Sequence, residues 1–417
     1  LVTIGTELLL GHTIDTNAAE LGRALGAAGV EVVRRTTVPD RPKAIADAVR
    51  AALERTGFVL ATGGLGPTKD DMTKKVVADL FGKPLYLDEG LLKALEARFK
   101  RLGRGPMPAV NRNQAEVPEG ATVLPNPRGS APGLWIEDGG RVVILLPGVP
   151  SEMRGLLVEE VLPRIIARQG KEGGARVVRS RTLRTTGVSE SALAERVGPL
   201  EEALAPLSLA YLPSVEGVDL RLTAWSVLPE EADRLLASGG DRLKKELGDH
   251  YYGEEETLLA ATVLDILRTK EKTLAVAESC TGGMVGARLT GVPGASAVFT
   301  GGVVGYDDNV KREQLGVPSE VLEQHGAVSE EAARAMAAGA ARVFKTSCAL
   351  AVTGVAGPGG GTPEKPVGTV WLAILVDGQT TAVKRTFPGS REEIRSRSAQ
   401  TALDLLRRRF LPGGPGR

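Results

Sequence analysis

The chain has 417 residues with 52 Lys+Arg against 51 Asp+Glu, a formal net charge of +1. That length fits two or three domains, and that balance gives no electrostatic pull toward nucleic acid, anionic lipid or acidic substrates. Hydrophobic residues at 42% and charged residues at 25% exclude global disorder, and no apolar run reaches the ~20 residues of a membrane helix. Two cysteines, Cys280 and Cys348, exclude a disulfide framework and fit a reducing cytoplasm. His12, His250 and His325 are too scattered for a Cys/His zinc site.

An apolar strand, Val2–Ile4, opens the chain and leads into Gly5-Thr6-Glu7; without an initiator Met, a few native residues are expected to precede Leu1. Asn17-Ala18-Ala19-Glu20 reads as a capping box for a helix with Leu21, Leu25 and Ala28 on one face. Residues 30–38 are β-rich, 44–53 helical, and 57–61 a buried strand running into Thr62-Gly63-Gly64-Leu65-Gly66-Pro67. Helical spacing resumes from Met72 to Leu80 and again through Leu92, Leu95, Phe99 and Leu102. Val142 to Leu146 is a continuous apolar run ending on Pro147-Gly148-Val149-Pro150. Apolar strands alternating with helices predict a parallel sheet covered on both faces.

A polar, glycine-containing linker follows over Arg168–Gly174. The middle unit reads strand (176–184, an exposed edge), helix (189–205), strands (207–212 and 219–226) and helix (229–247), a small α+β module. The third unit starts at Glu254-Glu255-Glu256 with a helix (258–267), a strand (273–277) and a glycine-rich turn. Its last helix opens with a capping box, Ser390-Arg391-Glu392-Glu393, and the chain ends in a frayed tail from Pro412. The expected division is 1–167, 168–253 and 254–417.

Two glycine loops carry the chemistry. In TGGLGPTKDD, Thr62 to Asp71, Gly63, Gly64 and Gly66 follow a buried strand, where backbone N–H groups approach an anion closely. Asp70 and Asp71 repel a phosphate unless a divalent cation bridges them; the alternative is a glycine turn whose acids complement the helix dipole. In an open α/β sheet the loops at Gly5-Thr6-Glu7, Asp15-Thr16-Asn17, Asn126-Pro127-Arg128-Gly129 and Pro147 to Glu152 converge on the same crevice. In the third unit a strand runs into Glu278-Ser279-Cys280-Thr281-Gly282-Gly283. A hydroxyl at such a turn is either an exposed nucleophile or a helix N-cap. A second glycine loop, Thr353-Gly354-Val355-Ala356-Gly357 to Gly361, and Gly301 to Tyr306 leading to Lys311 favour the nucleophile.

GTELLLG (Gly5 to Gly11), DTN and TGGLGPTKDD resemble the molybdopterin-binding fold in the variant of the CinA family, named for competence and DNA damage induction. ESCTGG, GGVVGYDDNVK, HGAVS (His325 to Ser329) and TGVAGPGGGTPEKPVGTVW resemble its carboxy-terminal amidohydrolase domain. The resemblance spans essentially the whole chain. It implies a three-layer α/β/α amino-terminal domain, a KH-like α+β middle domain and an α/β amidohydrolase domain. It further implies ADP-ribose pyrophosphatase activity dependent on a divalent cation (Mg, Mn or Co) at Asp70 and Asp71, and metal-free deamidation of nicotinamide mononucleotide to nicotinate mononucleotide and ammonia.

Amide hydrolysis needs a nucleophile, a proton acceptor and an oxyanion hole. The family's serine falls at Ser279. Lys311 is the candidate base and Tyr306 the relay, with a solvated surface lysine as the other reading of Lys311. Backbone amides around Thr281, Gly282 and Gly283 are the oxyanion donors. Thr353, Gly354 and the Gly357 to Gly361 loop, with Arg391 or Arg395, are candidates for the substrate and its phosphate. The rival is a Cys280–His325 pair, against which stands a small buried cysteine. The middle unit has no GXXG loop, so nucleic acid is not expected as a partner. The remaining readings are a molybdopterin-handling protein and a competence scaffold. A homodimer is expected from the exposed edge at 176–184, and no membrane association.

Overall fold

The computed structural model describes residues 1–103, 105–169 and 176–412. Of the expected linker, Arg168 belongs to the helix Leu162–Gln169, and 170–175 lie outside the described residues, as does the tail at 413–417. The chain divides into two compact units, Leu1–Arg179 with Trp225–Asp233, and Ser180–Ala224 with Arg234–Arg417.

The amino-terminal strands are β1 (Val2–Ile4), β2 (Thr36–Val38), β3 (Phe58–Thr62), β4 (Leu85–Leu87), β5 (Glu116–Pro118), β6 (Thr122–Leu124), β7 (Gly133–Asp138) and β8 (Arg141–Leu146). Six form one sheet in the order β2-β1-β3-β8-β7-β6, and β4 pairs with β5. β2, β1, β3 and β8 run parallel, β7 runs against them, and β6 pairs antiparallel with β7. Alternate side chains serve opposite faces: Val59, Ala61, Val143 and Leu145 meet Ile45 and Val49, while Leu60, Val142, Ile144 and Leu146 meet Leu21, Leu25 and Met153. Coverage of both faces is why β8 reads as an unbroken apolar run. The β-rich stretch 30–38 pairs only at β2, which sits at the sheet edge with a single partner, three-residue β1. The first long helix, Thr16–Ala27, is capped by Asp15, which accepts from Ala18 N at 2.9 Å, and not by the expected box at Asn17.

In the middle, β9 (Val177–Thr185), β10 (Ser208–Pro213), β11 (Val218–Val227) and β12 (Tyr251–Glu254) form a sheet in the order β10-β11-β9-β12, accompanied by the helices Glu190–Glu201 and Pro229–Leu247. The strand expected at the edge, 176–184, is interior: β9 lies between β11 and β12, because β12 returns antiparallel along it, with Tyr251 opposite Thr185. That argument for a homodimer therefore falls.

The last sheet has β13 (Leu274–Glu278), β14 (Phe299–Val304), β15 (Cys348–Gly354), β16 (Thr369–Val376) and β17 (Gln379–Thr386) in the order β14-β13-β15-β16-β17. β14, β13 and β15 are parallel. One face is small: Ala275, Ala277, Ala349, Ala351 and Ala373 pack on Ala333, Met336, Ala337 and Ala340 of the helix Glu330–Phe344. The other carries Leu274, Val276, Leu350, Val352, Val370 and Leu372 against the helices Leu259–Thr269 and Arg391–Arg409. Close approach on the alanine side is strict, since a Cβ on Gly339 would lie 2.0 Å from the Leu315 carbonyl oxygen.

Candidate active sites

Both glycine loops leave the carboxyl ends of parallel strands, where loops cover the sheet. In the carboxy-terminal domain Glu278 ends β13 opposite Val304 of β14 and Val352 of β15, and Ser279 N donates to Val352 O at 2.9 Å. The chain then reverses through Gly282 and Gly283 at φ +59° and +93°, left-handed conformations that favour glycine. The helix Met284–Thr290 begins there with Gly283 as its N-cap. Its first amides are satisfied by Glu278, whose carboxylate, 1% exposed, accepts from Gly283 N (3.0 Å), Val285 N (3.0 Å) and Gly286 N (2.8 Å). The N-cap alternative for Ser279 falls, since Gly283 is the cap, and the Ser279 Oγ makes no hydrogen bond among the described residues. One expectation changes. The Gly282 and Gly283 N–H groups, expected as oxyanion donors, are engaged by Ser279 O and Glu278. Thr281, fully buried, keeps its Oγ1 without a partner beside Ser279, which is 9% exposed.

Several expected residues come together around this turn. Arg395 donates to Thr281 O at 2.8 Å. Arg391 donates to Gly357 O at 2.7 Å and to Tyr306 Oη at 2.9 Å, joining the second glycine loop to the end of β14. A Cβ on Gly283 would lie 3.6 Å from Val304. Lys311 is buried, not solvated: it is 1% exposed, and its Nζ donates to Asp308 Oδ1 (2.8 Å) and Tyr306 O (3.2 Å). Thr353 and Gly354 have structural work. The Thr353 hydroxyl donates to Ala327 O at 2.7 Å, and a Cβ on Gly354 would lie 2.7 Å from Thr369 O.

The rival pair does not meet. Cys280 is buried in the core with Val285, Leu289 and Val352. Burial pushes its thiol up to about 12, Glu278 adds to this, and Arg395 and Arg391 oppose it. His325 instead faces Glu331, 3.6 Å from Nδ1, and its carbonyl accepts from Lys365 at 2.7 Å.

At the amino-terminal site Gly63 and Gly64 have φ +106° and +66°, and Cβ atoms there would meet Ile4 O and Thr73 Oγ1 at 2.1 Å. Around Thr62 the expected loops do converge. Asn17 donates to Thr62 Oγ1 (3.3 Å) and Gly148 O (2.8 Å), and Thr62 Oγ1 donates to Pro147 O (2.9 Å). Asn17, Thr62 and Gly148 line a small cavity of about 110 Å³ with Glu7, Asp15 and Pro150. Asn126 donates to Glu152 at 2.6 Å, tying the 126–129 loop to the helix Pro150–Leu156. The two aspartates differ. The Asp71 carboxylate turns back on its own loop, accepting from Thr68 N at 2.9 Å and from the Thr68 hydroxyl, and a Cβ on Gly66 would lie 2.4 Å from it. Asp70 is exposed. Among the described residues no group of three or more His, Cys, Asp or Glu is placed to hold a metal. The exposed Asp70 carboxylate is one hard oxygen donor, and Mg²⁺ takes one or two protein carboxylates and completes its shell from phosphate oxygens and water.

Neither Lys74 nor the Asn111–Gln114 segment was picked out from the sequence. Lys74 donates to Asn113 O, Asn113 to Pro67 O (3.2 Å), and Gln114 to Leu65 O (3.4 Å), so this amide-rich stretch underpins the glycine loop. Burial draws the Lys74 amine down to about 8, with Glu116 opposing. The run Asn-Arg-Asn-Gln was the available signal; its partners are 39 to 49 residues away. Glu278 was also missed, since a carboxylate beside a serine reads as ordinary polarity until its three donors are seen.

Residues 256–410 match the family described as CinA C-terminal domain, 1–167 a probable molybdopterin binding domain, and 180–253 the damage-inducible protein CinA KH domain. A CinA-like protein of Gemmatimonas aurantiaca is 53% identical over 98% of this chain and 96% of its own. A putative competence-damage inducible protein of Desulforudis audaxviator is 42% identical over 98% and 97%. A crystal structure of competence/damage inducible protein CihA from Agrobacterium tumefaciens is 42% identical, covering 36% of this chain and 91% of its own with a TM-score of 0.35. With relatives this similar across nearly its full length, the chain belongs to the CinA family.

Proposed function

We propose that this protein is a bifunctional nucleotide hydrolase, deamidating nicotinamide mononucleotide at Ser279 and cleaving ADP-ribose in its amino-terminal domain. The observation that carries the first half is the turn at Ser279. Its hydroxyl has no hydrogen-bond partner among the described residues, and Arg395 of the last helix is bonded to Thr281 O in the same turn. One turn earlier in that helix Arg391 gathers Tyr306 and the Gly357 loop, with buried Lys311 bonded to the Tyr306 carbonyl. Ser279 Oγ attacks the carboxamide carbon and loses its proton; the C–N bond breaks and the nitrogen leaves as ammonia; water then cleaves the acyl-serine to the carboxylate. Lys311 is the proton carrier. Only the neutral amine can do this: its lone pair would take the serine proton and return it to the leaving nitrogen, with Asp308 and the Tyr306 carbonyl holding Nζ in place. Thr281 Oγ1, buried without a partner, would serve the oxyanion only if substrate binding turned it toward Ser279, while Arg391 and the Gly357 loop would take the substrate phosphate.

In the amino-terminal domain Asp70 would hold the divalent cation, with Asp71 shaping the loop. A cation bound there polarises phosphoryl oxygen and offsets the carboxylate's repulsion of the pyrophosphate. Gly63 and Gly64 keep side chains away from the backbone that faces the anion. A nucleic-acid scaffold is the less supported reading, because two arginines of the middle sheet are already paired: Arg181 with Glu254 at 2.9 Å and Arg184 with Asp219 at 3.0 Å. Ammonia release from nicotinamide mononucleotide tests the reading. Ser279→Ala should lower it by more than about 10³-fold while ADP-ribose cleavage persists, and Cys280→Ala should be nearly silent. A dead cysteine variant beside an active serine variant would refute the serine mechanism.

A further inference from the structure

The helix Met284–Thr290, which starts at the Ser279 turn, carries Arg288 one turn in. The Arg288 guanidinium donates to Gln400 Oε1 (2.8 Å) and Ser396 Oγ (2.7 Å), one turn apart on the helix Arg391–Arg409. It also donates to Glu216 Oε1 (2.6 Å) of the middle module. Arg391 and Arg395 lie on the neighbouring strip of the same last helix and reach Gly357 O and Thr281 O. The Ser279 turn and the last helix are thus fastened together at two levels, by Arg395 within the turn and by Arg288 beyond it. All of these residues belong to the second compact unit.

Glu216 lies in the turn between β10 and β11, where the Ser214 hydroxyl accepts from Glu216 N and Gly217 N, both at 3.2 Å. Side chains do not fill the space beside it: a cleft of about 360 Å³ lies between this turn, the 186–190 turn and the last helix. At this edge the middle module therefore holds the helix by directed bonds rather than by packing. Glu216 acts through Arg288, and Gln400 Nε2 approaches Thr186 Oγ1 at 3.5 Å. Arginine suits such a junction, since its planar fork fixes direction as well as distance. A substrate held at its phosphate by Arg391 and attacked at its carboxamide by Ser279 spans the two helices. Their spacing then sets the reacting distance, and an error of about 1 Å can cost about 10²-fold in rate. We infer that Arg288 is a positioning residue for deamidation, and that the middle module takes part in that reaction through Glu216. The inference rests on the reading of the Ser279 site given above.

In ammonia release from nicotinamide mononucleotide by the full chain, Arg288→Met should lower kcat by about 10–100-fold, with partial recovery in Arg288→Lys. Glu216→Gln, at a half-exposed pair, should lower it by about 2–5-fold. A double-mutant cycle with Arg391→Met separates positioning from a merely structural role. Once the phosphate no longer ties the substrate to the last helix, Arg288→Met should cost less than about 3-fold. Hydrogen–deuterium exchange without substrate supplies a readout independent of activity: residues 283–290 should exchange faster in Arg288→Met and in Glu216→Gln, with β13 and β15 unchanged. If Arg288→Met fails to fold, Glu216→Gln carries both tests. A parent chain that releases no ammonia sinks the reading of the Ser279 site and this inference with it. An active parent whose variants show unchanged exchange, or lose the same factor with and without Arg391, overturns the positioning role alone.

Discussion

The loops after β3 and after β13 share a plan: a buried parallel strand, two glycines at positive φ, and a helix. They place their acids oppositely. After β3 the acids follow the glycines, so Asp70 stays in solvent and Asp71 braces its own turn through Thr68. At β13 the acid precedes them, so Glu278 is drawn beneath the turn and takes three helix amides. The first loop retains an exposed carboxylate at Asp70, whereas the second has spent its carboxylate on architecture and keeps a neutral hydroxyl at Ser279. Sequence order relative to the glycines thus separates the two loops: the acid that precedes the reversal is buried beneath it, and the first acid that follows it stays at the surface.

That contrast can be broken experimentally. The largest effect is expected from Lys311→Ala, which should lower the deamidation rate by about 10²–10⁴-fold with ADP-ribose cleavage intact; single-turnover ammonia release checks it, and an unchanged rate removes Lys311 from proton transfer. Glu278→Gln keeps the shape but turns an amide donor toward backbone N–H groups. It should cost about 2–4 kcal/mol in urea unfolding and reduce kcat more than KM, because the Ser279 turn loses its anchor. A stable, fully active variant would mean that the turn holds itself.

In the first loop Asp70→Asn should raise the cation concentration needed for ADP-ribose cleavage by at least about 10–100-fold, the loss usual even for partners outside the metal shell. Asp71→Asn should lower thermal stability and leave that requirement nearly unchanged. Equal shifts in both would show that the carboxylates act as a pair. The smallest effect concerns Lys74. Its amine titrates at about 8 in the folded chain against 10.5 ordinarily. Between these values the unfolded chain holds a proton that the folded chain has released, so stability rises with pH across that window and is flat below it. Urea midpoints from pH 7 to 10.5 should show a shallower rise in Lys74→Met than in the parent.

The layered α/β plan of the two large domains follows from features visible in the chain, but the antiparallel pairings of β6, β7 and β8 and of β15, β16 and β17 depart from the parallel sheet expected. Continuous apolar strands such as 142–146 need two covered faces, glycine runs at strand ends need loops, and Ser390 with Glu393 makes the predicted capping box. Local readings failed where a distant partner decides. Asn17 looks like a cap, but Asp15 caps the helix and Asn17 turns to Thr62 and Gly148, 45 and 131 residues away. The strand 176–184 looks like an edge because its neighbour β12 arrives some seventy residues later.

Residue types and their spacing by themselves determined the family, the α/β architecture and Ser279 as the hydroxyl at a strand-to-helix reversal, since periodicity and backbone conformation are local properties. Only the tertiary structure decided which polar groups are already used. The Gly282 and Gly283 amides are spent, Asp71 is spent, and Lys311 is buried with Asp308. Hydrogen bonding saturates: each donor or acceptor is available for chemistry only if nothing nearer has claimed it, and nearness in space between residues far apart in the chain exists only once the sheets have formed.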